Sequence, residues 1–300
     1  MSGRRISLNL MGVEDIYDGT FAGLAEAAKV ADGLGVHVVT LPDHLGFNRE
    51  AHATREGFPY PLTRNWYEPL TALAAIAAVT VRVRLTTYVL VAPLRPGLFL
   101  AKQLATLDAL SGGRVEVGLG IGWQRPEYEA AGVDFADRFE QLEEQVQICR
   151  ALWAGGPASF HGATASFADF HAYPVPPQGA DLPVLLGGKL SRKHAERVVR
   201  VGNGWTAPPL PVEEVRASIE LLRETAEAAG RDPDDFSVAA TVSLVPHGTR
   251  ARDIGAPHPV EEALQLWDAG VDVVHVLPHA FCDSPDDLPR FLKPLVDACG

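Results

Sequence analysis

The chain has 300 residues, a formal net charge of -12 and a pI near 5.3. Such an acidic protein repels nucleic-acid phosphates and anionic lipid, so we expect no nucleic-acid partner, no membrane partner and a small-molecule substrate. Cys149, Cys282 and Cys299 lack metal-type spacing and suit a reducing compartment. The N-terminal apolar run is too short for a signal peptide and no window could span a membrane, which predicts a cytoplasmic protein.

The first third of the chain alternates short apolar stretches with helical patterns. Ile6 to Leu10 and Val36 to Leu41 predict strands, and Thr20 to Leu34 predicts a helix between them. The irregular stretch Leu45 to Tyr67 is rich in aromatic residues, glycine and proline, and its length predicts a binding loop or lid. The next predicted elements are a helix over Glu68 to Thr80, a strand over Val83 to Val91 and a helix over Gly97 to Leu110.

The segment Ser111 to Trp123, SGGRVEVGLGIGW, joins a helix stop, a buried strand and a glycine-lined strand exit. Gly118 is expected to serve packing inside the fold. Gly120 and Gly122 are expected to let a flat ligand approach the backbone. The alternative is a strand that simply packs tightly against a helix.

The second half repeats the alternation after one interruption. A helix is predicted over Arg138 to Trp153, whereas Gly155 to Asp181 lacks a helical period and reads as an insertion. The later predicted elements are a strand at VLLGG, a helix over Ser191 to Val201, a strand over Gly204 to Ala207, a helix around Val215 to Ala226, a strand over Phe236 to Val245, a polar loop over Pro246 to Pro257, a helix over Val260 to Asp268, a strand over Val271 to Leu277 and a helix over Ser284 to Ala298.

About eight apolar strands, each followed by a helix, predict an α/β protein with parallel strands covered on both faces. No composition break marks a linker, so one domain is expected over residues 1–300. The economical solution is a (β/α)8 TIM barrel with an insertion before strand five, about residues 155–182, and an open doubly wound sheet is the alternative. In a barrel, function lies on the loops that follow the strands.

Two strand exits carry residues suited to chemistry. Asp43 and His44 follow the second strand, and histidine is the usual proton carrier near neutral pH. The alternative is that Asp43 caps a turn and His44 is merely solvated. The glycine pair before Lys189 opens a helix after the fifth strand, which favours an anion such as phosphate, with a tight turn as the alternative.

The sequence lacks the motifs of several other classes of enzyme. The first strand ends in Leu10-Met11-Gly12 and offers no His-x-His pair, and the remaining histidines are scattered, so we expect no metal. The chain also has no Gly-x-Ser-x-Gly elbow and no P-loop, so a serine nucleophile and nucleotide hydrolysis are not indicated.

Three stretches together carry a resemblance that covers nearly the whole chain. They are TLPDHLG, the run from AKQLATLDALSGGRVEVGLGIGW through EYEAAGVDF to RFEQLEEQVQICRALWAG, and PVLLGGKLSRKHAERVVRVGNGW. In this combination and order they resemble the bacterial luciferase-like monooxygenase superfamily, closest to the members that use the deazaflavin coenzyme F420. The resemblance implies a TIM barrel with F420, or alternatively FMN, lying across the C-terminal ends of the strands.

The resemblance also implies roles for individual residues. His44 would be the catalytic acid or base, with Asp43 beside the reactive ring, and a non-prolyl cis peptide at Tyr88-Val89 would back that ring. One wall of the ring site would be Gly120, Ile121 and Gly122, and the phosphate and ribityl end of the cofactor would be held by Gly187, Gly188, Lys189, Leu190, Ala207 and Pro208.

The chain departs from one part of the family in a way that narrows the substrate. Members that oxidise a sugar phosphate carry a glutamate where Trp123 stands, which makes that activity doubtful here. Phe47, Trp66 and Trp123, with Phe58 and Tyr60, would instead form a pocket for an apolar or ring-bearing substrate. The alternative is that the loop aromatics only pack on one another.

Three functions remain open from the sequence. The first is hydride transfer between F420 and an organic substrate. The second is a monooxygenase that uses reduced FMN supplied by a flavin reductase, and the third is a non-catalytic flavin-binding protein. Members of the superfamily are commonly dimers, so a homodimer is expected.

Overall fold

The computed structural model describes residues 3–55, 58, 60–245 and 248–300. Most strands in this part of the chain are short, parallel and apolar. In chain order the strands are β1 (Arg5–Asn9), β2 (Val38–Leu41), β3 (Arg84–Thr87), β4 (Leu90–Val91), β5 (Val117–Gly120), β6 (Pro157–His161), β7 (Ser166–His171), β8 (Val184–Gly187), β9 (Gly204–Thr206), β10 (Ser237–Thr241) and β11 (Val273–Val276).

Nine of these strands form one parallel sheet that curls round on itself. The order across it is β3, β2, β1, β11, β10, β9, β8, β5, β4. β3 and β4 stand at opposite ends of this order, yet only Tyr88 and Val89 separate them along the chain, and Leu85 also bridges to Val115 just before β5. They are therefore two halves of one barrel strand. The predicted (β/α)8 barrel is confirmed, and the open-sheet alternative is wrong because the two ends of the sheet meet.

Helices follow the strands and cover the outside of the barrel. None of the described helices is long and apolar enough to cross a membrane. The helices are α1 (Phe21–Leu34), α2 (Arg49–Thr54), α3 (Pro69–Ala77), α4 (Gly97–Ser111), α5 (Arg125–Ala131), α6 (Arg138–Trp153), α7 (Arg192–Val201), α8 (Val212–Ala228), α9 (Val260–Asp268) and α10 (Asp287–Asp297).

Two short helices, α2 and α5, lie in stretches for which the sequence predicted none. Six and seven residues make fewer than two turns, so no apolar stripe can repeat along them. α2 begins with a local cap, because the Asn48 side chain accepts hydrogen bonds from the N–H groups of Glu50 and Ala51. Gly132 is the C-cap that terminates α5, and it adopts the left-handed conformation with φ 71°.

The insertion before the fifth barrel strand contains the hairpin β6–β7. Its two strands pair antiparallel, with an irregularity in register between Ala158 and Phe160. The two longest predicted strands are much shorter in the structure. The strand predicted over Val83 to Val91 is interrupted by a cis peptide bond at Tyr88-Val89, and the one predicted over Phe236 to Val245 ends at Thr241. Residues 56, 57, 59, 246 and 247 of the two predicted loops lie outside the described residues.

The barrel interior is apolar in its middle and charged at its N-terminal end. Val38, Leu185, Ala239 and Val273 form a cluster separate from the main core, and because their strands are not all neighbours, they meet across the interior. Below them, Glu116 pairs with Arg5 at 3.1 Å and with Arg84. These ion pairs occupy the N-terminal end of the barrel.

Candidate active site

A cavity of about 590 Å³ opens at the C-terminal ends of the barrel strands. Asn9, Gly120, Gly187 and Thr206, each the last residue of its strand, contribute to its floor. Among the residues predicted for the site, Phe47, Lys189 and Leu190 do not line this cavity. Those that do are Asp43, His44, Trp66, Tyr88, Val89, Gly120, Ile121, Gly122, Trp123, Gly187, Gly188, Ala207 and Pro208.

His44 is held at both nitrogens of its ring. Its Nδ1 lies 2.9 Å from Oε2 of Glu127, and the indole Nε1–H of Trp123 donates to its Nε2 at 3.2 Å. Because Nε2 accepts a hydrogen bond, these partners assign the ring proton to Nδ1, which donates to the carboxylate. Nε2 therefore carries the lone pair, and it lies on the side of the ring where Trp123 lines the cavity.

Glu127 is a site residue that the sequence did not reveal. It lies on α5, its side chain is 1% exposed, and its second oxygen, Oε1, accepts the backbone N–H of Leu45 at 2.6 Å. Gln124 holds the same loop, donating to the carbonyl of Gly46 at 2.8 Å and accepting the N–H of Asn48 at 2.5 Å. The start of α5 thus fixes the loop that presents His44. The stretch EYEAAGVDF contained the signal, but only as part of the resemblance.

Asp43, next to His44 in sequence, has a different environment. Both of its carboxylate oxygens accept from Arg95, at 2.6 and 3.1 Å, and Oδ2 also accepts the N–H of Val91 at 2.9 Å. Burial favours a lower pKa for Arg95, but hydrogen bonds and charges from Asp43 and Glu68 outweigh it and raise that pKa. Asp43 lines the cavity, yet its acceptors are used within the protein.

The segment around Val89 explains why several nearby positions are glycine, since it leaves no room for a Cβ atom there. The Tyr88-Val89 peptide is cis, at the bond that the resemblance implied. A Cβ atom at Gly120 would lie 2.5 Å from Cγ2 of Val89, and one at Gly187 would lie 2.7 Å from its Cγ1. A Cβ at Gly118 would lie 2.2 Å from the carbonyl oxygen of Thr87. Gly118 therefore serves packing, and Gly120 and Gly187 make room for Val89 as well as leaving the cavity floor bare.

Tyr88 is fixed beneath the cavity. Its hydroxyl donates to the carbonyl of Ala207 at 2.6 Å, and its ring lies 4.3 Å from the ring of His275. Burial raises the pKa of Tyr88 above its ordinary value and lowers that of His275 to about 3. Both side chains are therefore neutral near pH 7 and act as parts of the floor.

An aromatic wall faces His44 from the loop after β2 and from Trp123. The His44 ring lies 4.6 Å from Phe47 and 5.0 Å from Trp66, measured between centroids. Phe47 stands behind this wall, whereas Trp66, Trp123, Phe58 and Tyr60 line the cavity. The aromatics thus pack on one another and also face the open space, and Trp66 Nε1 is buried without a hydrogen-bond partner in the described residues.

The basic residues near the fifth strand exit, among them the predicted Lys189, pair with surface carboxylates. Lys189 pairs with Glu214 at 3.5 Å and Arg192 with Glu224 at 3.5 Å, and these pairs are exposed. Leu190 is buried. Ser191 caps α7 by accepting the N–H of His194 at 3.3 Å. Within the described residues, no group of three or more His, Cys, Asp or Glu side chains could hold a metal ion.

Comparison with known proteins identifies the family. The model of the luciferase-like monooxygenase family matches residues 6–253. An uncharacterized protein of Mycobacterium tuberculosis is 35% identical over 227 residues, covering 74% of this chain and 80% of the relative. The FMNH2-dependent dimethylsulfone monooxygenase of Pseudomonas putida is 30% identical over 201 residues, 62% of this chain and 55% of that protein.

Among solved structures, an F420-dependent secondary alcohol dehydrogenase in complex with an F420-acetone adduct superimposes with a TM-score of 0.77 at 18% identity. The superposition covers 100% of both chains, which shows a shared fold. The chain belongs to the luciferase-like monooxygenase family, whose members are F420- or FMN-dependent oxidoreductases and monooxygenases.

Proposed function

We propose that the protein is an oxidoreductase that moves a hydride between coenzyme F420 and a small, ring-bearing organic substrate. The observation that carries this proposal is the geometry of His44. Its Nε2 lone pair is fixed by the Nδ1 contact to Glu127, and it stands between a glycine floor and an aromatic wall. An oriented, neutral imidazole in an apolar cavity is suited to exchanging a proton with a substrate hydroxyl or amine.

The residues present fit a flat, heteroatom-rich ring system. A cavity of about 590 Å³ lies within the range of ordinary ligand pockets. Two lining side chains have buried polar atoms, Trp66 Nε1 and Thr206 Oγ1, that find no partner among the described residues. The ring would rest against Tyr88 and Val89, with Gly120 to Gly122 as a wall and Gly187 to Leu190 and Ala207-Pro208 at the far end. F420 supplies the hydride chemistry when bound, and the protein supplies orientation and proton transfer.

His44 would handle the proton that accompanies the hydride. When a substrate hydroxyl takes the place of the Trp123 indole N–H at Nε2, His44 accepts its proton as the carbon–hydrogen bond gives up the hydride. The imidazolium formed in this step keeps its Nδ1–H donated to Glu127, whose negative charge stabilises it. Asp43 remains paired with Arg95 throughout and holds the loop.

A monooxygenase that uses reduced FMN is the second candidate. It is favoured by the similarity to the FMNH2-dependent enzyme of Pseudomonas putida, and it would require a flavin reductase as partner. The same cavity and the same histidine would serve either cofactor, so geometry alone does not separate the two proposals.

Titration with each cofactor separates them, with binding followed by fluorescence. Micromolar binding of F420 with much weaker binding of FMN is the expected result. Tight FMN binding without F420 binding would contradict the proposal and support the monooxygenase. If neither cofactor binds, both fail. Gly187→Ala is a site variant for either cofactor, because its Cβ would lie 2.7 Å from Cγ1 of Val89, would displace that side chain in the floor and should weaken whichever cofactor binds.

Assembly and location also remain proposals. We propose a cytoplasmic homodimer, as the resemblance implies, and light scattering of the purified protein measures the assembly directly. A monomer at micromolar concentration would contradict it.

A further inference from the structure

Arg55 lies at the mouth of the cavity, on the loop that follows α2. It is one of the residues that line the cavity, and its guanidinium carbon lies 4.9 Å from the ring centroid of Trp123. A guanidinium stacked on an indole face keeps its N–H groups at the edge, where they remain free to donate. The stacking therefore gives an exposed arginine a preferred orientation at the entrance.

Arg55 differs from Arg64, the other arginine of the same loop. Arg64 donates to both oxygens of Asp15, at 2.8 and 2.7 Å, and also lies 3.5 Å from Glu14. Arg55 makes no ion pair with any residue that the structure describes. Arg64 ties the loop to the barrel, whereas Arg55, which has no ion-pair partner among the described residues, lines the cavity.

The negative charge in the cavity lining, on Asp43, does not neutralise the charge of Arg55. The Asp43 carboxylate lines the cavity, but its oxygens are occupied by Arg95 and the backbone of Val91. The protein has an overall charge of -12, but at physiological salt each exposed charge is screened beyond about 8 Å. A cation at the entrance can therefore attract an anion even though the protein is acidic.

We propose that Arg55 selects substrates in which a planar ring carries a carboxylate. This inference rests on the proposed function, in which the cavity holds the substrate. The guanidinium fork matches a carboxylate with two parallel hydrogen bonds, and the aromatic wall of Phe58, Trp66 and Trp123 matches the ring. A phosphate carries a charge of about -1.5 to -2 and would call for more than the single unpaired cation that the described lining offers.

Trp123 places the selected group near the reacting site. The same indole that stacks on Arg55 donates its N–H to Nε2 of His44. Arg55 and His44 therefore both contact Trp123, which places the arginine and the histidine at the same side of the cavity. Arg55 would set which molecules bind, and His44 would act on the bound molecule.

The test compares two probes that differ only in charge, 2-naphthoate and the similarly shaped 2-naphthamide. Binding to the cofactor-free protein is measured by calorimetry at low and high salt. We expect naphthoate to bind wild-type protein about tenfold more tightly than naphthamide, with the preference weakened by salt. Arg55→Gln should abolish the preference by weakening naphthoate alone, and Arg55→Lys should retain part of it.

Arg49→Gln is the matched control, because Arg49 is an exposed arginine at the start of α2 that does not line the cavity. It should leave both affinities unchanged. Equal binding of the two probes by wild-type protein, no binding of either, or equal effects of the Arg55 and Arg49 variants would overturn the proposal. The cofactor titration judges the proposed function separately, and Arg55→Gln should leave cofactor affinity unaltered.

Discussion

The two ends of the barrel use their polar residues in opposite ways. At the N-terminal end, Arg5 and Arg84 flank Glu116, and each charge has an opposite charge beside it. At the C-terminal end, Trp66 Nε1 is buried without a partner in the described residues, and Arg55 faces the cavity without an ion pair there. The charges paired at the N-terminal end hold the fold, whereas the Arg55 charge, unpaired among the described residues, is available to a ligand at the cavity.

The C-terminal end also contains both kinds of residue side by side. Asp43 and His44 are consecutive, yet Asp43 is paired with Arg95 and His44 faces the cavity with its Nε2 lone pair. Position at a strand exit is therefore not enough to direct a residue's polar atoms toward the cavity. What separates the two is the partner: the Asp43 carboxylate is held in a buried ion pair with Arg95, whereas Nε2 of His44 is held by the indole N–H of Trp123, which lines the cavity.

The largest effect is expected from His44→Ala. Turnover should fall about 10²- to 10⁴-fold while cofactor affinity stays the same, because the proton acceptor is lost but the floor of the cavity is not. The matched control is Arg84→Gln at the opposite end, which should lower the free energy of unfolding by about 1 kcal/mol and leave turnover unchanged. Similar losses of turnover in both variants would mean that the C-terminal end has no special role in the reaction.

Arg95→Met should produce the largest loss of stability. It leaves the carboxylate of Asp43, whose side chain is 1% exposed, buried without its counter-charge. We expect the free energy of unfolding, measured with urea, to fall by about 3 kcal/mol. Adding Asp43→Asn should restore part of that loss, because it removes the unpaired charge. A single variant as stable as wild type would mean that Asp43 is free to serve a ligand.

Glu127→Gln tests whether the partner of His44 acts on the reaction or only on the loop. The variant keeps the shape but removes the charge beside the Nδ1–H, so kcat should fall about 10-fold with little change in KM. Gln124→Ala is the loop control, because Gln124 holds the same loop through Gly46 and Asn48; it does not touch His44 and reaches Glu127 only through a long contact of 3.5 Å. If both variants lower kcat equally, loop ordering explains the effect and the positioning role of Glu127 is wrong.

Much of the fold follows from local sequence patterns, whereas key contacts of the site do not. Helices as long as α6 repeat an apolar stripe, and the fully buried barrel strands are continuous apolar runs bounded by glycine or proline. The pairs Asp43–Arg95 and His44–Glu127 join residues 52 and 83 positions apart. Nothing in the local pattern encodes those partners, and α5, which carries Glu127, is too short to show a period.

The glycines illustrate the same limit. Their side-chain-free edge predicted close approach at Gly120, and a close approach exists there, but a methyl group of Val89 is the neighbour that the structure identifies. A bare strand edge shows that something comes near. It does not show whether that neighbour is a ligand or another part of the chain, because both would exclude a Cβ atom in the same way.

The smallest expected effect is on the pH dependence of stability, to which His194 contributes. His194 is buried near Gly188, and neither ring nitrogen has a hydrogen-bond partner in the described residues. Burial, with a smaller contribution from Arg197, lowers its pKa from 6.5 to about 4. The unfolded chain therefore binds more protons between those values, so this contribution to stability is complete above pH 6.5 and is lost as the pH falls toward 4.

His194→Leu removes that group and should flatten the pH dependence. Near pH 5.5 the wild-type protein should have lost about 1 kcal/mol of unfolding free energy, relative to pH 7, that the variant does not lose. Urea unfolding across this range measures the difference, and His161→Leu on the exposed hairpin is the control that should leave the slope as it is. An unchanged slope in His194→Leu would mean that the imidazole of the wild-type protein is already hydrogen-bonded to water. That result would weaken the contrast between the two ends of the barrel, because His194 would no longer count as a polar group without a partner.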